Sequence, residues 1–315
     1  MTTFALLCLL ALSGAALLLI AGQIAEARRV PRSRAAQADA PGGFLRLRQG
    51  RTHVRWDGPE GGRVVVCVHG LSTPLRVFDP LTERLAKAGY RVLRYDHFGR
   101  GLSDAPMSRQ DAAFFTRHLR DVLDACGLRD PVPFVGYSMG GAVVTAFADC
   151  FPERTSGICL LASGGLRDAP SGVYGLSTSV PVLGDALWSL LGPRTLTRDD
   201  AKVDVRHLPD FPHIVAQEVG RRGTLPSHLS SMRHLLAERQ EARHGRLASR
   251  GMPVLAIWGD SDLVIPLVSK DRLAGANPAA QQLVLPDAGH DLAFTRPDEL
   301  ADAVIGWLSG RMPGG

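Results

Sequence analysis

The chain predicts an α/β fold, a mostly parallel sheet of strands covered by helices on both faces and interrupted by one helical insertion. Three observations predict it. From residue 44 onward, short β-branched or apolar runs alternate with stretches of helical spacing, the pattern of parallel strands joined by crossover helices. That rhythm lapses only between about 166 and 250, where Arg, Pro and Gly are frequent and no strand signal stands out. Finally, 315 residues with 45% hydrophobic content are enough to bury one large core.

Two segments precede this body. Residues 4–22 carry no charge, and nineteen residues of helix reach roughly 28 Å, close to the hydrocarbon thickness of a bilayer. No Lys or Arg precedes the run, while Arg28, Arg29, Arg32 and Arg34 follow it. The bias of basic residues then places the rest of the chain on the cytoplasmic side of a membrane. The competing expectation is a cleaved export signal, for which Ala25-Glu26-Ala27 and Ala36-Gln37-Ala38 offer small-x-small sites. Residues 1–27 are therefore read as an anchor or signal segment and 28–42 as a linker. Residues 43–315 are read as the body, and because every expected strand and candidate catalytic residue lies there, deletion of residues 1–35 is expected to leave a soluble, active enzyme.

Within the body, 44–56 reads as a leading antiparallel hairpin. Strands are expected at 63–68, 91–95, 133–135, 158–162, 253–258 and 281–285. Helices are expected at 77–88, 111–126, 138–150, 266–274 and 298–309. An insertion at 166–250 would lie over the carboxyl ends of the strands, where ligands bind in open α/β sheets.

The formal net charge is +5. Residues 1–57 hold eight Arg against Glu26, Asp39 and Asp57, so the whole surplus lies there. A basic segment next to an apolar helix fits a membrane surface. Basic residues are not interleaved with aromatics, which speaks against a nucleic-acid platform. Cys8, Cys67, Cys126, Cys150 and Cys159 form no C-x-x-C pair and no zinc-ligand spacing. They are expected to be free thiols, with Cys67 and Cys159 as small buried hydrophobes.

The chemistry centres on Gly136-Tyr137-Ser138-Met139-Gly140, a G-x-S-x-G motif after a strand and before a helix. That context lifts a serine hydroxyl clear of the sheet and sets the Met139 N–H at a helix N-terminus, ready for negative charge. A serine hydroxyl needs a base, and His290 follows the last strand. Asp262, after the strand at 253–258, can orient the imidazole and fix its tautomer. Asp260 and Asp168 are rival acids. His69-Gly70-Leu71 closes the first parallel strand and offers the Leu71 N–H as a second oxyanion donor. His69 itself is read as a brace of that loop. The Gly-rich stretch at 96–104 lacks the lysine of a phosphate loop and is read as structural.

Taken in order, HG after a strand, D-H-F-G-R-G-L-S-D, G-Y-S-M-G-G, W-G-D-S-D-x-V-I-P and G-H resemble the α/β-hydrolase superfamily, in its bacterial esterase, lipase and C–C-bond hydrolase branches. The resemblance covers about 44–310. It implies an eight-stranded sheet with a variable helical cap at 166–250. It also implies a Ser138–His290–Asp262 triad, an oxyanion hole at Leu71 and Met139, and no metal or organic cofactor. The expected activity is hydrolysis of a small-molecule acyl ester or lipid, of the carboxylic ester hydrolase type, with the membrane as partner and no nucleic acid. Haloalkane dehalogenases and epoxide hydrolases of this fold carry Asp where Ser138 stands, which excludes them. C–C-bond hydrolysis, metal-free peroxidation and a receptor-like ligand-binding module remain as alternatives.

Overall fold

The computed structural model describes residues 3–33, 37–38, 40–166, 172–197 and 203–310. Asp168, one of the rival acids, and Arg34 lie outside the described residues. Eight strands form one sheet in the order β1-β2-β4-β3-β5-β6-β7-β8. They are β1 (Gly43–Leu47), β2 (Gly50–Asp57), β3 (Val64–Val68), β4 (Arg91–Tyr95), β5 (Val132–Tyr137), β6 (Thr155–Leu161), β7 (Val254–Gly259) and β8 (Gln281–Leu285). The hairpin β1–β2 pairs antiparallel, as does β2 with β4, and all pairs from β4 through β8 are parallel.

The period-2 alternation of β3 explains the two cores. Val66 and Val68 point into one apolar cluster, Val65 and Cys67 into the other. Several helices follow the strands: α2 (Asp79–Lys87) after β3, α3 (Ala112–Ala125) after β4 and α4 (Met139–Cys150) after β5. The first cluster is closed by Phe115, Leu119 and Val122 of α3 and by Val143 and Phe147 of α4. Opposite, Leu81 and Leu85 of α2 meet Leu300 and Val304 of the last helix. Asp111 starts α3 by accepting the Phe114 N–H at 2.9 Å. Both Cys67 and Cys159 are buried free thiols.

Between β6 and β7 lie α5 (Gly172–Ser179), α6 (Leu183–Thr197), α7 (Phe211–Gly220), α8 (Thr224–Arg233) and α9 (Glu241–Ser249). The first four carry the cap. Trp188, Val219, Leu225, Leu229 and Met232 form its own apolar cluster. The stretch expected as an insertion at 166–250 lies between β6 and β7, and its last helix, α9, packs on the sheet-covering layer: Leu247 belongs to the main core. The chain closes with α10 (Val268–Ala276), the single turn α11 (Leu292–Thr295) and α12 (Pro297–Leu308).

The apolar N-terminal run is one helix, α1 (Thr3–Ala27). Its Gly22 touches α6; a Cβ there would stand 2.6 Å from Ala186 Cα. One face of α1 packs along α6, while the opposite face is open, with Phe4, Leu7, Leu10, Leu12 and Leu17 all more than half exposed. The stretch expected as a linker is docked on the body. Val30 pairs with Arg221 at the end of α7, and Arg29 and Arg32 reach backbone carbonyls of the body. Composition missed this because the partners are main-chain atoms, which leave no trace in the order of residue types.

Candidate active site

Ser138 sits between the end of β5 and the first residue of α4, at φ 52 and ψ −117. A non-glycine residue held there is strained, and the surroundings enforce it. The Ser138 N–H donates to Leu161 O at 2.9 Å, while its carbonyl accepts from Gly141 N at 3.0 Å and Gly164 N at 2.8 Å. The flanking glycines are steric requirements. A Cβ on Gly140 would lie 1.9 Å from Val68 O, and one on Gly136 2.6 Å from Gly140 O.

His290 enters from the loop after β8. Its Nε2 lies 3.0 Å from Ser138 Oγ and its Nδ1 2.8 Å from Asp262 Oδ2. Asp262 is buried, and its other oxygen, Oδ1, accepts from Val264 N at 2.7 Å and Ile265 N at 2.8 Å. Those two amides hold the carboxylate in place. Tyr137 OH donates to His290 O at 2.9 Å, tying the loop to the strand that ends in Ser138. Asp260 is exposed and accepts only from the Ser261 hydroxyl among the described side-chain bonds. The structure thus brings Ser138, His290 and Asp262 into one hydrogen-bonded line and leaves Asp260 outside it.

The His69-Gly70-Leu71 turn runs alongside Ser138: a Cβ on Gly70 would stand 3.2 Å from Ser138 Cβ. His69 Nδ1–H donates to Gly70 O at 2.9 Å, and its Nε2 accepts from His97 N at 2.9 Å. Gly70 C=O and Leu71 N–H belong to one planar peptide. The His69 bond therefore sets the direction of the Leu71 N–H. Full burial, opposed by nearby Asp96, lowers the His69 pKa to about 4, so the ring stays neutral and can do both jobs. Met139 is buried at the first position of α4, where amides point outward unpaired by the helix.

Below this turn, the 96–104 loop is a structural hub. Asp96 accepts from His53 Nδ1 at 2.8 Å, Leu75 N at 2.8 Å and Leu102 N at 3.0 Å. Burial alone would raise its pKa; the His53 bond and the Leu75 amide help to outweigh burial and lower it. Gly101 has φ 53, and a Cβ there would meet Asp96 Oδ2 at 2.0 Å. Sequence reasoning passed over Arg100 in this loop. Its guanidinium is fully buried, donates to Leu71 O at 3.1 Å and Ser231 Oγ at 2.8 Å, and also bonds Gln110. A buried arginine with no carboxylate partner would have been hard to infer from a G-R-G tripeptide.

The cap lies above. Leu71 and Leu236 pack against the cluster of Trp188, Leu225, Leu229 and Met232, and Leu236 also approaches Gly164 beside the Ser138 carbonyl. A packed apolar cluster therefore extends from the candidate oxyanion turn into the cap. A polar cleft of about 450 Å³ runs along the outer side of the His290 loop, lined by Asp204, Arg206, Asp287 and Asp291 and not by Ser138. Among the described residues, no group of three or more His, Cys, Asp or Glu side chains is arranged to hold a metal ion.

Comparison with known proteins places this geometry. The sequence model of the family described as "Alpha/beta hydrolase family" matches residues 65–303. The dihydrolipoyllysine-residue acetyltransferase component of the acetoin cleaving system of Pseudomonas putida is 30% identical over 87% of this chain and 70% of its own length. The 2-hydroxy-6-oxononadienedioate/2-hydroxy-6-oxononatrienedioate hydrolase of Klebsiella pneumoniae is 28% identical over 84% of this chain and 95% of its own. Among solved structures, Est816, described as an N-acyl homoserine lactone degrading enzyme, superposes with a TM-score of 0.65 at 25% identity, covering 84% of this chain and 99% of that one.

Proposed function

The chain belongs to the α/β hydrolase family, and on that premise we propose that it is a serine hydrolase that cleaves carboxylic esters through an acyl-enzyme. Ser138 Oγ attacks the ester carbonyl while His290 Nε2 takes its proton. Asp262 holds the tautomer and balances the imidazolium that forms. The negative charge on the carbonyl oxygen is received by the Leu71 and Met139 N–H groups. His290 then protonates the leaving alcohol, activates water, and the acyl group leaves as a carboxylic acid. The observation that carries this reading is the line of contacts at 3.0 Å and 2.8 Å from Ser138 through His290 to Asp262. The Klebsiella relative, named for a 2-hydroxy-6-oxo dioate, supports a second reading, C–C-bond hydrolysis with the same serine.

The test is labelling of the purified full chain with a fluorophosphonate, together with turnover of p-nitrophenyl butyrate. The label should map to Ser138. Ser138→Ala should lower kcat by about 10⁴-fold or more while the fold is retained. Wild-type turnover in Ser138→Ala would remove the assignment. Turnover of a vinylogous 1,5-diketone acid without ester cleavage would favour the second reading.

The same proposal places the protein on a membrane, held by α1 with the body on the cytoplasmic side. Nine large apolar residues of α1 are exposed, from Phe4 to Ile24. Leaving them in water forgoes on the order of 10 kcal/mol or more of burial that a bilayer would supply. The protein should stay with membranes through carbonate extraction and resist protease added outside sealed spheroplasts. A mature chain lacking residues 1–27, or digestion from outside, would show export instead.

A further inference from the structure

The segment after α1 is bound into the rim of the sheet. Arg32 donates to Gly99 O at 2.9 Å, Gly101 O at 2.5 Å, Ser103 O at 3.1 Å and Thr224 Oγ1 at 2.6 Å. Gln37 Nε2 adds a bond to Leu102 O at 2.9 Å. On the other side of the loop, Gly101 N donates to the buried Glu218 at 2.7 Å. The 99–103 loop is therefore held from a segment 65 or more residues earlier in the chain and from α7 of the cap. Between Gly99 and Gly101 stands Arg100, whose Nε grips Leu71 O at 3.1 Å and whose other nitrogens reach Phe98 O and the α8 residues Ser227 and Ser231.

Leu71 is thus clamped on both of its peptide planes. His69 holds the Gly70 carbonyl, which sets the Leu71 N–H, and Arg100 holds the Leu71 carbonyl. Arg100 is fully buried and Arg32 half-buried, and both lose hydration there. Desolvation lowers the pKa of Arg100 to about 9 and also lowers that of Arg32. A plain surface tether would not need two guanidinium groups in such places. A donor that must meet a developing oxyanion does need a fixed backbone, because preorganised dipoles stabilise the transition state without having to reorient.

We infer that Arg32 and Arg100 are positioning residues for the oxyanion side of the site: Arg32 fixes the 99–103 loop, and Arg100, carried by that loop, fixes Leu71 beside Ser138. The inference rests on the proposed serine-hydrolase reading. It makes the juxtamembrane segment a working part of the body and not a spacer, so a truncation that spares every strand but removes Arg32 would damage the site.

The test uses the full chain in detergent micelles and begins with fluorophosphonate labelling of the wild type. Arg32→Ala is then compared with Arg28→Ala, whose exposed side chain makes no contact with the loop in the described bonds. Loss of one direct oxyanion donor costs about 10²–10³ in kcat, so loosening it through the loop should cost about tenfold. The expected result for Arg32→Ala is a tenfold lower kcat on p-nitrophenyl butyrate with KM within twofold. Affinity for a trifluoromethyl ketone, which forms a tetrahedral oxyanion on the serine, should fall by the same factor. Inhibition by butyrate should not change, Arg32→Lys should recover part of kcat, and methylguanidinium should rescue Arg32→Ala. Arg28→Ala should behave as wild type. Should Arg32→Ala prove too unstable to purify, Arg32→Lys and Arg100→Lys carry the same comparison. Unchanged kcat and ketone affinity in the arginine variants overturn the inference, as does an equal loss of butyrate and ketone binding. A wild type that neither labels at Ser138 nor turns over the ester removes the proposed function itself. A labelled, active wild type with an indifferent Arg32→Ala removes only the role of the arginines.

Discussion

At the carboxyl end of β5, geometry leaves little choice of residue. Gly140 passes so close to β3 that a Cβ would lie 1.9 Å from Val68 O, and Ser138 is forced to φ 52. In the cap, by contrast, α6 and α8 meet through Trp188, Leu225, Leu229 and Met232, a contact that many apolar sets of similar volume could make. The rim is specified by backbone collisions and hydrogen bonds, the cap by volume and hydrophobicity. Backbone collisions write residue types into a sequence, because only glycine satisfies them. Volume-filling contacts do not, so the cap carries no motif although it packs against Leu71 beside the site.

At the rim, hydrogen-bond geometry singles out one acid and passes over a close neighbour. Asp262→Asn keeps the shape but presents an amide to His290 Nδ1, favouring the wrong tautomer. A kcat loss approaching about 10⁴-fold is expected from that change alone. Asp260, two residues earlier and exposed, should tolerate Asn with less than a twofold change. Steady-state kinetics on one ester for both variants decides it. A larger loss from Asp260→Asn would mean that hydrogen-bond geometry at the rim does not identify the working acid.

The same contrast explains what could and could not be read in the chain. The strands were legible because β-branched runs such as Val64–Val68 alternate faces between two cores. The three aligned side chains were legible because each follows a strand end, where a side chain can reach the rim. The packing of α9 was not legible because it has no signature separating a cap helix from a sheet-covering one; Leu247 in the main core reveals it. Arg32 and Arg100 were missed for a different reason. Their partners are carbonyls of Gly99, Gly101, Ser103 and Leu71, and every residue type has a carbonyl. Contacts of that kind become visible only once the chain is folded.

A smaller effect asks whether the two regions are one cooperative unit. Both bury neutral histidines. Under the rim, burial lowers His69 to about 4 and His118 to about 3. In the cap, burial holds His228 on α8 well below its ordinary value of 6.5. The unfolded chain takes up protons on these rings near 6.5, whereas the folded protein excludes them until the pH approaches the lowered values. Stability is therefore full above about pH 6.5 and falls as the pH drops toward 4, by up to about 1.4 kcal/mol per pH unit for each such ring. Asp96 adds a loss of the same sign at lower pH, since its depressed pKa makes its contribution present above 3.8 and lost below. Urea unfolding at pH 7 and pH 5 should show a drop of a few kcal/mol, and His118→Gln should flatten it. Arg100 bonds the rim loop to Ser227 and Ser231 of α8, so peptides from β3 and from α8 should lose hydrogen-exchange protection at the same pH. If α8 loses protection first while β3 stays closed, the cap is a separate unit resting on the rim, and its buried histidine, not the strand-end geometry, governs the acid limit of the site.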